Sequence, residues 1–243
     1  MPPIVPIPGF FEPVSCMTHL LAAPLVLLMK IHLLKRCSGS SLHTLALVIY
    51  GLSILLLLSI SGTYHLLTPG FLPRAVLQRL DHAAIFILIA GSFTPIHVFL
   101  FKGWRRWGFL AAVWTFALMA IAIKTIYFEV FPEWLSVGLY LAFGWCGLVT
   151  TTLLYRHYGA WSIRLLVSGG LAYSVGALLD YHRLPTLVNG VVGPHELFHL
   201  AVLVGIFLHW LFIRNIVMGA LIPPEAASLA SHNAVQTLMI HEG

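Results

Sequence analysis

Seven long apolar runs, separated by short polar breaks, dominate the chain. Each is about as long as the ~20 residues that a helix needs to cross a bilayer. Glycine, proline and basic residues at the breaks are typical of helix ends, and the strict alternation of a membrane barrel strand is not seen. The pattern therefore predicts an all-α membrane protein, a seven-transmembrane-helix bundle, with spans at roughly 17–35, 44–67, 80–101, 104–125, 134–155, 160–182 and 194–218.

The connections are short, so consecutive helices are expected to run antiparallel. Residues 17–218 form one membrane domain in this interpretation. A short N-terminal segment, 1–16, precedes it, and a polar C-terminal tail, 219–243, follows it. The first segment has no basic stretch before an apolar run, so we do not expect a secretory signal peptide there.

Composition narrows the class of protein further. Hydrophobic residues make up 59% of the chain and charged residues only 9%, against about 25% charged in an average soluble domain. A soluble enzyme and a disordered protein are both excluded. The net charge of +5 is expected at lipid headgroups, so the predicted partners are membrane lipids and not nucleic acid. The three cysteines lie far apart and predict neither a disulfide framework nor a thiolate metal cluster.

Five polar residues within these spans are the candidates for chemistry. Ionisable side chains cost about 2.5–3.5 kcal/mol inside a membrane and are functional by default. Ser61 and His65 are four residues apart near the end of the second span, Asp81 lies at the start of the third, and His195 and His199 are four residues apart at the start of the seventh. Each pair occupies one helix face, and all five residues fall in the same leaflet of an antiparallel bundle.

Three imidazoles with an open fourth position form a typical catalytic zinc site. We therefore predict one zinc ion held by His65, His195 and His199, with Asp81 orienting a ligand or a water molecule, or acting as general base. Histidine ligands also suit iron or cobalt. The structural alternative is that each histidine is a hydrogen-bonded packing residue, but the convergence of all three with an aspartate favours a metal.

Other polar residues leave alternatives open. Glu12 and His19 either cover the site or cap the first helix, and Asp180 and His182 lie either near the site or at headgroup level. Ser92 is expected to make an interhelical hydrogen bond, and His209 to be a core histidine. Six further histidines are expected at interfaces or in solvent: His32, His43, His97, His157, His232 and His241.

Three motifs resemble the hemolysin III family. They are SGTYH at 61–65, LD at 80–81 followed by SFTP at 92–95, and HELFH at 195–199. That family is related to the progestin and adiponectin receptors (the PAQR group) and, more distantly, to the alkaline ceramidases. The resemblance covers about residues 12–218. The chain looks like a bacterial-type member of the family, which implies a multi-pass protein of the bacterial inner membrane.

The resemblance also implies a ligand set and a reaction. It implies zinc bound by His65, His195 and His199, with Ser61 and Asp81 supporting a water molecule at the metal. The relatives imply hydrolysis of an amide or ester bond in a lipid, and the hemolysin name implies pore formation. Asp180 is not part of the family motifs, and its presence in the sixth span opens the question of whether it alters the site.

Two predictions of sidedness disagree. Nine of the 13 Lys and Arg residues lie in loops or helix ends on the side opposite the histidine site, which favours an external N-terminus and a cytoplasmic C-terminus. The receptor relatives imply the reverse, with the N-terminus and the zinc facing the cytoplasm. Both arrangements stay open at this stage.

Three functions remain in order of preference. The first is a zinc-dependent lipid hydrolase in which Asp81 and Ser61 are catalytic. The second is a membrane sensor or receptor in which zinc ties the second and seventh helices together. The third is a pore-forming hemolysin, which needs a polar stripe across the whole membrane and ranks last because the polar residues cluster in one leaflet. The oligomeric state and the natural substrate do not follow from the sequence.

Overall fold

Eight α-helices form the seven predicted spans in the computed structural model, which describes residues 4–37 and 40–221. The chain is therefore a multi-pass membrane protein of the all-α class. The predicted polar tail beyond residue 221, with His232 and His241, lies outside the described residues. The helices are α1 (Pro13–Arg36), α2 (Ser41–Leu66), α3 (Leu72–Leu100), α4 (Trp104–Ile126), α5 (Glu133–Trp145), α6 (Leu148–Tyr158), α7 (Ala160–Tyr181) and α8 (Pro194–Val217).

Helix α3 lies at the centre of the bundle and is the most buried span. It packs against α2, α4, α5 and α8, while α1 lies against α2 and α8, and α7 packs along α8. Small residues allow these close approaches, as is usual between membrane helices. A methyl group added at Gly91 of α3 would lie 2.3 Å from Ser53 Oγ of α2, and one at Gly176 of α7 would lie 2.5 Å from Ala201 Cβ of α8.

The fifth span is divided in two. The predicted run at 134–155 consists of α5 and α6, which meet at Cys146 and Gly147. Both residues keep right-handed helical backbone angles, so the chain bends without reversing. Gly147 lets the ring of Phe93 pack closely against this junction, since a β-carbon there would lie 2.9 Å from that ring.

The third helix begins earlier than the sequence indicated. We expected it to start near residue 80, whereas α3 starts at Leu72 and has a proline in its first turn. Asp81 therefore lies more than two turns inside the helix rather than at its start. The two arginines and the glutamine between 72 and 80 resembled a loop, but the proline was a helix-start signal.

Two polar residues differ from their predictions. His97 is buried rather than interfacial: its Nδ1 is 2.9 Å from the carbonyl oxygen of Arg105, and its Nε2 is 2.9 Å from Thr150 Oγ1. It therefore joins α3 to α4 and α6. Ser92 donates to the carbonyl of Leu88 within its own helix, at 2.8 Å, so the expected interhelical bond is not its main contact.

Candidate metal centre

Three histidine side chains converge at one end of the bundle. His195 Nε2 lies 3.2 Å from His65 Nε2 and 3.2 Å from His199 Nε2. All three candidate ligand atoms lie within 4.8 Å of one another. Nitrogens bound tetrahedrally to zinc at 2.0–2.1 Å are about 3.3 Å apart. The donor set could therefore hold a metal ion, and the two 3.2 Å distances are close to the spacing of nitrogens around one tetrahedral ion.

The helix register explains the convergence. His65 lies in the last turn of α2, while His195 and His199 occupy the first two turns of α8 on one face. Glu196 fixes the start of α8, because its carboxylate accepts hydrogen bonds from the backbone N–H of Gly193 at 2.9 Å and from Ser15 Oγ of α1 at 2.8 Å. The beginning of α8 is thereby attached to α1.

Asp81 and Ser61 lie beside the histidines. Ser61 is buried on α2, one turn before His65. The Asp81 carboxylate of α3 is near enough to the Ser61 hydroxyl and to the His65 and His195 rings to be influenced by them electrostatically. The structure thus brings together all five residues that the sequence singled out. A carboxylate and a hydroxyl next to three imidazoles can move a proton and donate a hydrogen bond at the same place.

Glu12, just before α1, covers one side of the site. One of its oxygens contacts His65 Nδ1, and the other accepts a hydrogen bond from Arg74 at 2.8 Å. Burial raises the pKa of Glu12, but His65 and Arg74 outweigh that effect and hold the pKa below its ordinary value. Glu12 makes no capping hydrogen bond through its side chain, so of the two roles open to it the structure favours covering the site.

Arg74 is a buried cation that the sequence analysis missed. Its guanidinium lies 4.6 Å from the ring centre of Tyr64 and 4.9 Å from that of Phe11. It also donates to the carbonyl of Leu67, just after α2. In the sequence, an arginine in a polar stretch near a helix start resembles a residue that binds lipid headgroups. The contact of Arg74 with Glu12 in the structure is what places it beside the site.

Asp180 lies on the other side of the site, at the end of α7. Its Oδ2 is 3.3 Å from His195 Nδ1, and its Oδ1 is 3.7 Å from Arg183. Of the two positions open to Asp180, the structure therefore shows the one near the site, in contact with a candidate ligand. The side chain of His195 is 32% exposed, whereas His65 and His199 are each only 2% exposed, so the site opens at His195.

An apolar cavity of about 160 Å³ lies within the bundle and is lined by residues of α3, α5, α6, α7 and α8, with Leu57 of α2. Three residues of its lining, Ile85, Ala177 and Phe198, lie within about one helical turn along the chain of Asp81, Asp180 and His199 respectively. Its lining extends to His209, whose Nε2 is 3.1 Å from the carbonyl oxygen of Leu166. His209 is ten residues beyond His199, or roughly 15 Å along the helix.

The fold and these residues define a class: multi-pass, seven-span membrane proteins with a three-histidine cluster at one end of the bundle. A family model described as Haemolysin-III related matches residues 11–210. The chain therefore belongs to the hemolysin III family, as its motifs predicted.

Curated relatives agree with that assignment. Hemolysin-3 of Bacillus cereus is 31% identical over 199 residues, which cover 80% of this chain and 86% of the relative. A hemolysin-3 homolog of Bacillus subtilis is 34% identical over 140 residues, covering 58% of this chain and 65% of the relative. Heptahelical transmembrane protein ADIPOR2 of Oryza sativa subsp. japonica is 31% identical over 171 residues, which cover 64% of this chain and 75% of the relative. These matches place the chain in the cell membrane and link it to the PAQR proteins.

Proposed function

We propose that this protein is a membrane-embedded, zinc-dependent hydrolase of an amide or ester bond in a lipid. The observation that carries the proposal is the cluster of three imidazole Nε2 atoms with Asp81 and Ser61 beside it, in a bundle that also contains an apolar cavity. His65, His195 and His199 hold the zinc in this proposal. When bound, zinc polarises a carbonyl group and increases the acidity of a water molecule.

The protein's own residues then have separate roles. Asp81 accepts a proton from the attacking water as the water oxygen adds to the carbonyl carbon, and Ser61 donates a hydrogen bond to the oxygen that becomes negative. When the C–N or C–O bond breaks, Asp81 returns the proton to the leaving amine or alcohol. The products are a carboxylic acid and an amine or an alcohol, so atoms and charges balance.

The cavity supports a lipid substrate. Its lining includes Phe198, the residue before His199, consists mainly of aliphatic and aromatic side chains, and belongs to the candidate membrane spans. A hydrocarbon chain is the ligand that such a lining favours. In this proposal the reactive group of the lipid lies beside Asp81 and His195, while its hydrocarbon chain occupies the cavity.

The proposal is tested with purified protein in detergent. Zinc is first measured per chain, and the wild type and Asp81→Asn are then incubated with ceramides and phospholipids. Turnover by the wild type that falls at least about 100-fold in Asp81→Asn, with zinc retained, supports the hydrolase. Zinc without turnover of any lipid tested overturns the hydrolase, and a wild type without zinc overturns every function based on this metal.

A sensor or receptor with structural zinc is the second candidate. The favouring observation is that the three histidines belong to α2 and α8, so an ion between them would connect two helices far apart in the chain. This candidate predicts that zinc removal lowers thermal stability and that no lipid is cleaved. A pore stays third, because the cavity lining is mainly aliphatic and aromatic rather than a continuous polar stripe.

A further inference from the structure

Two carboxylates contact the histidine cluster from outside the three family motifs. Glu12 contacts Nδ1 of His65, and Asp180 Oδ2 lies 3.3 Å from Nδ1 of His195. In both rings the contacted nitrogen is the one that points away from the cluster, while Nε2 points into it. The two carboxylates come from different parts of the fold, the segment before α1 and the last turn of α7.

A carboxylate in this position determines which ring nitrogen carries the proton. A neutral imidazole has one N–H, and an ionised carboxylate can only accept. The N–H is therefore held at Nδ1, which leaves the lone pair of Nε2 directed at the centre of the cluster. Residues that hold ligand histidines in this way typically change metal affinity by 10- to 100-fold when they are mutated.

We propose that Glu12 and Asp180 are positioning residues that set the metal affinity of this site through His65 and His195. The inference rests on the proposed zinc site, although not on lipid hydrolysis. Their negative charges also offset a divalent cation in a medium of low polarity. Each carboxylate has a basic neighbour that helps to hold it in place, Arg74 at 2.8 Å for Glu12 and Arg183 at 3.7 Å for Asp180.

The surroundings of Asp180 offer a matched control. Arg183 also forms an ion pair with Glu133 at 2.5 Å, and both side chains of that pair are about half exposed. Glu133→Gln therefore removes a carboxylate from the same arginine without removing any contact to a histidine. An exposed ion pair of this kind contributes little, so Glu133→Gln is expected to change zinc affinity by less than about twofold.

The experiment measures metal binding, not turnover. Zinc dissociation constants are obtained by competition with a chromophoric chelator for the wild type, Asp180→Asn, Glu12→Gln and Glu133→Gln, and the visible spectrum of Co²⁺ is recorded for each. Asp180→Asn and Glu12→Gln are expected to bind zinc about 10- to 100-fold more weakly and to shift the Co²⁺ bands. Glu133→Gln is expected to match the wild type in both measurements.

Asp180→Glu keeps the carboxylate, so it distinguishes loss of the negative charge from a general disturbance of the structure. It is expected to recover zinc affinity relative to Asp180→Asn, with metal-free thermal stabilities that are the same for the two variants. If Asp180→Asn and Glu12→Gln bind zinc and Co²⁺ as the wild type does, the inference is wrong. If the wild type binds zinc and the variants weaken as expected while no lipid is cleaved, the hydrolase fails and the positioning role stands.

Discussion

The imidazole rings of His19 and His199 stack, with centroids 3.9 Å apart and planes inclined by 16°. His19 belongs to α1 and is only 3% exposed, and neither of its ring nitrogens has a hydrogen-bond partner among the described residues. His199 Nδ1 is likewise without a partner in the described part of the chain. Stacking thus limits the ring orientation of His199, where no carboxylate does so.

The stack predicts a graded effect of changes at His19. His19→Ala removes an aromatic contact of about 0.5–1.5 kcal/mol, and we expect zinc to bind about 2- to 10-fold more weakly. His19→Phe keeps a ring in the same place and should stay close to wild type. Competition with a chelator measures the zinc dissociation constants of both variants. Equal zinc affinity in wild type and His19→Ala would show that the stack does not orient His199.

The histidine cluster predicts a selective loss of metal. His199→Ala removes one of three ligand nitrogens, and we expect bound zinc to fall from one ion per chain to a small fraction. His97→Ala is the control, because His97 is a buried histidine that contacts Arg105 and Thr150 instead of the cluster. It should lower the apparent Tm but keep its zinc. Elemental analysis of both purified variants checks this, and zinc retained in His199→Ala would contradict the assigned ligands.

The cavity can be narrowed without a steric clash. Gly170 of α7 lines it, and a β-carbon at this position meets nothing within 4 Å. We expect Gly170→Leu to place its side chain in that open space and to reduce lipid turnover by at least about tenfold, which corresponds to about 1.4 kcal/mol of substrate binding. Zinc content should not change.

Gly138 of α5 provides the control for the cavity. A β-carbon at Gly138 also meets nothing within 4 Å, but this residue does not line the cavity. Gly138→Leu should therefore keep the kcat/KM of the wild type. Equal turnover by Gly170→Leu and Gly138→Leu would indicate that the substrate chain does not occupy the cavity.

The Ser15–Glu196 contact predicts a loss of stability. Ser15 donates to a buried carboxylate at 2.8 Å, and Ser15→Ala leaves that acceptor short of a donor, at a cost of about 1–3 kcal/mol. Thr18→Ala, which removes only a hydroxyl bonded to its own helix at 3.0 Å, should cost less. Thermal unfolding of metal-free protein in detergent compares them, and an equal Tm for the two variants would contradict a stabilising role of the contact.

Local patterns in the sequence predicted most of the fold. Apolar length determines whether a helix crosses the bilayer, and a spacing of four residues places two side chains on one face of a helix. For these reasons the seven spans and the pairs Ser61–His65 and His195–His199 could be identified without a structure. The antiparallel order of short-looped helices then placed both pairs and Asp81 at the same end of the bundle.

Interactions between distant segments could not be obtained in this way. The contacts of Glu12 with His65, Asp180 with His195 and His19 with His199 depend on how α1, α7 and α8 rotate about their axes when they pack. The same holds for the buried position of His97 and for the cavity between α3 and α7. The sequence alone determined the seven spans and which faces of them carry polar residues, because both follow from residues close together along the chain. Only the tertiary structure decided which polar faces meet, because packing acts between residues as far apart in the chain as Ser15 and Glu196.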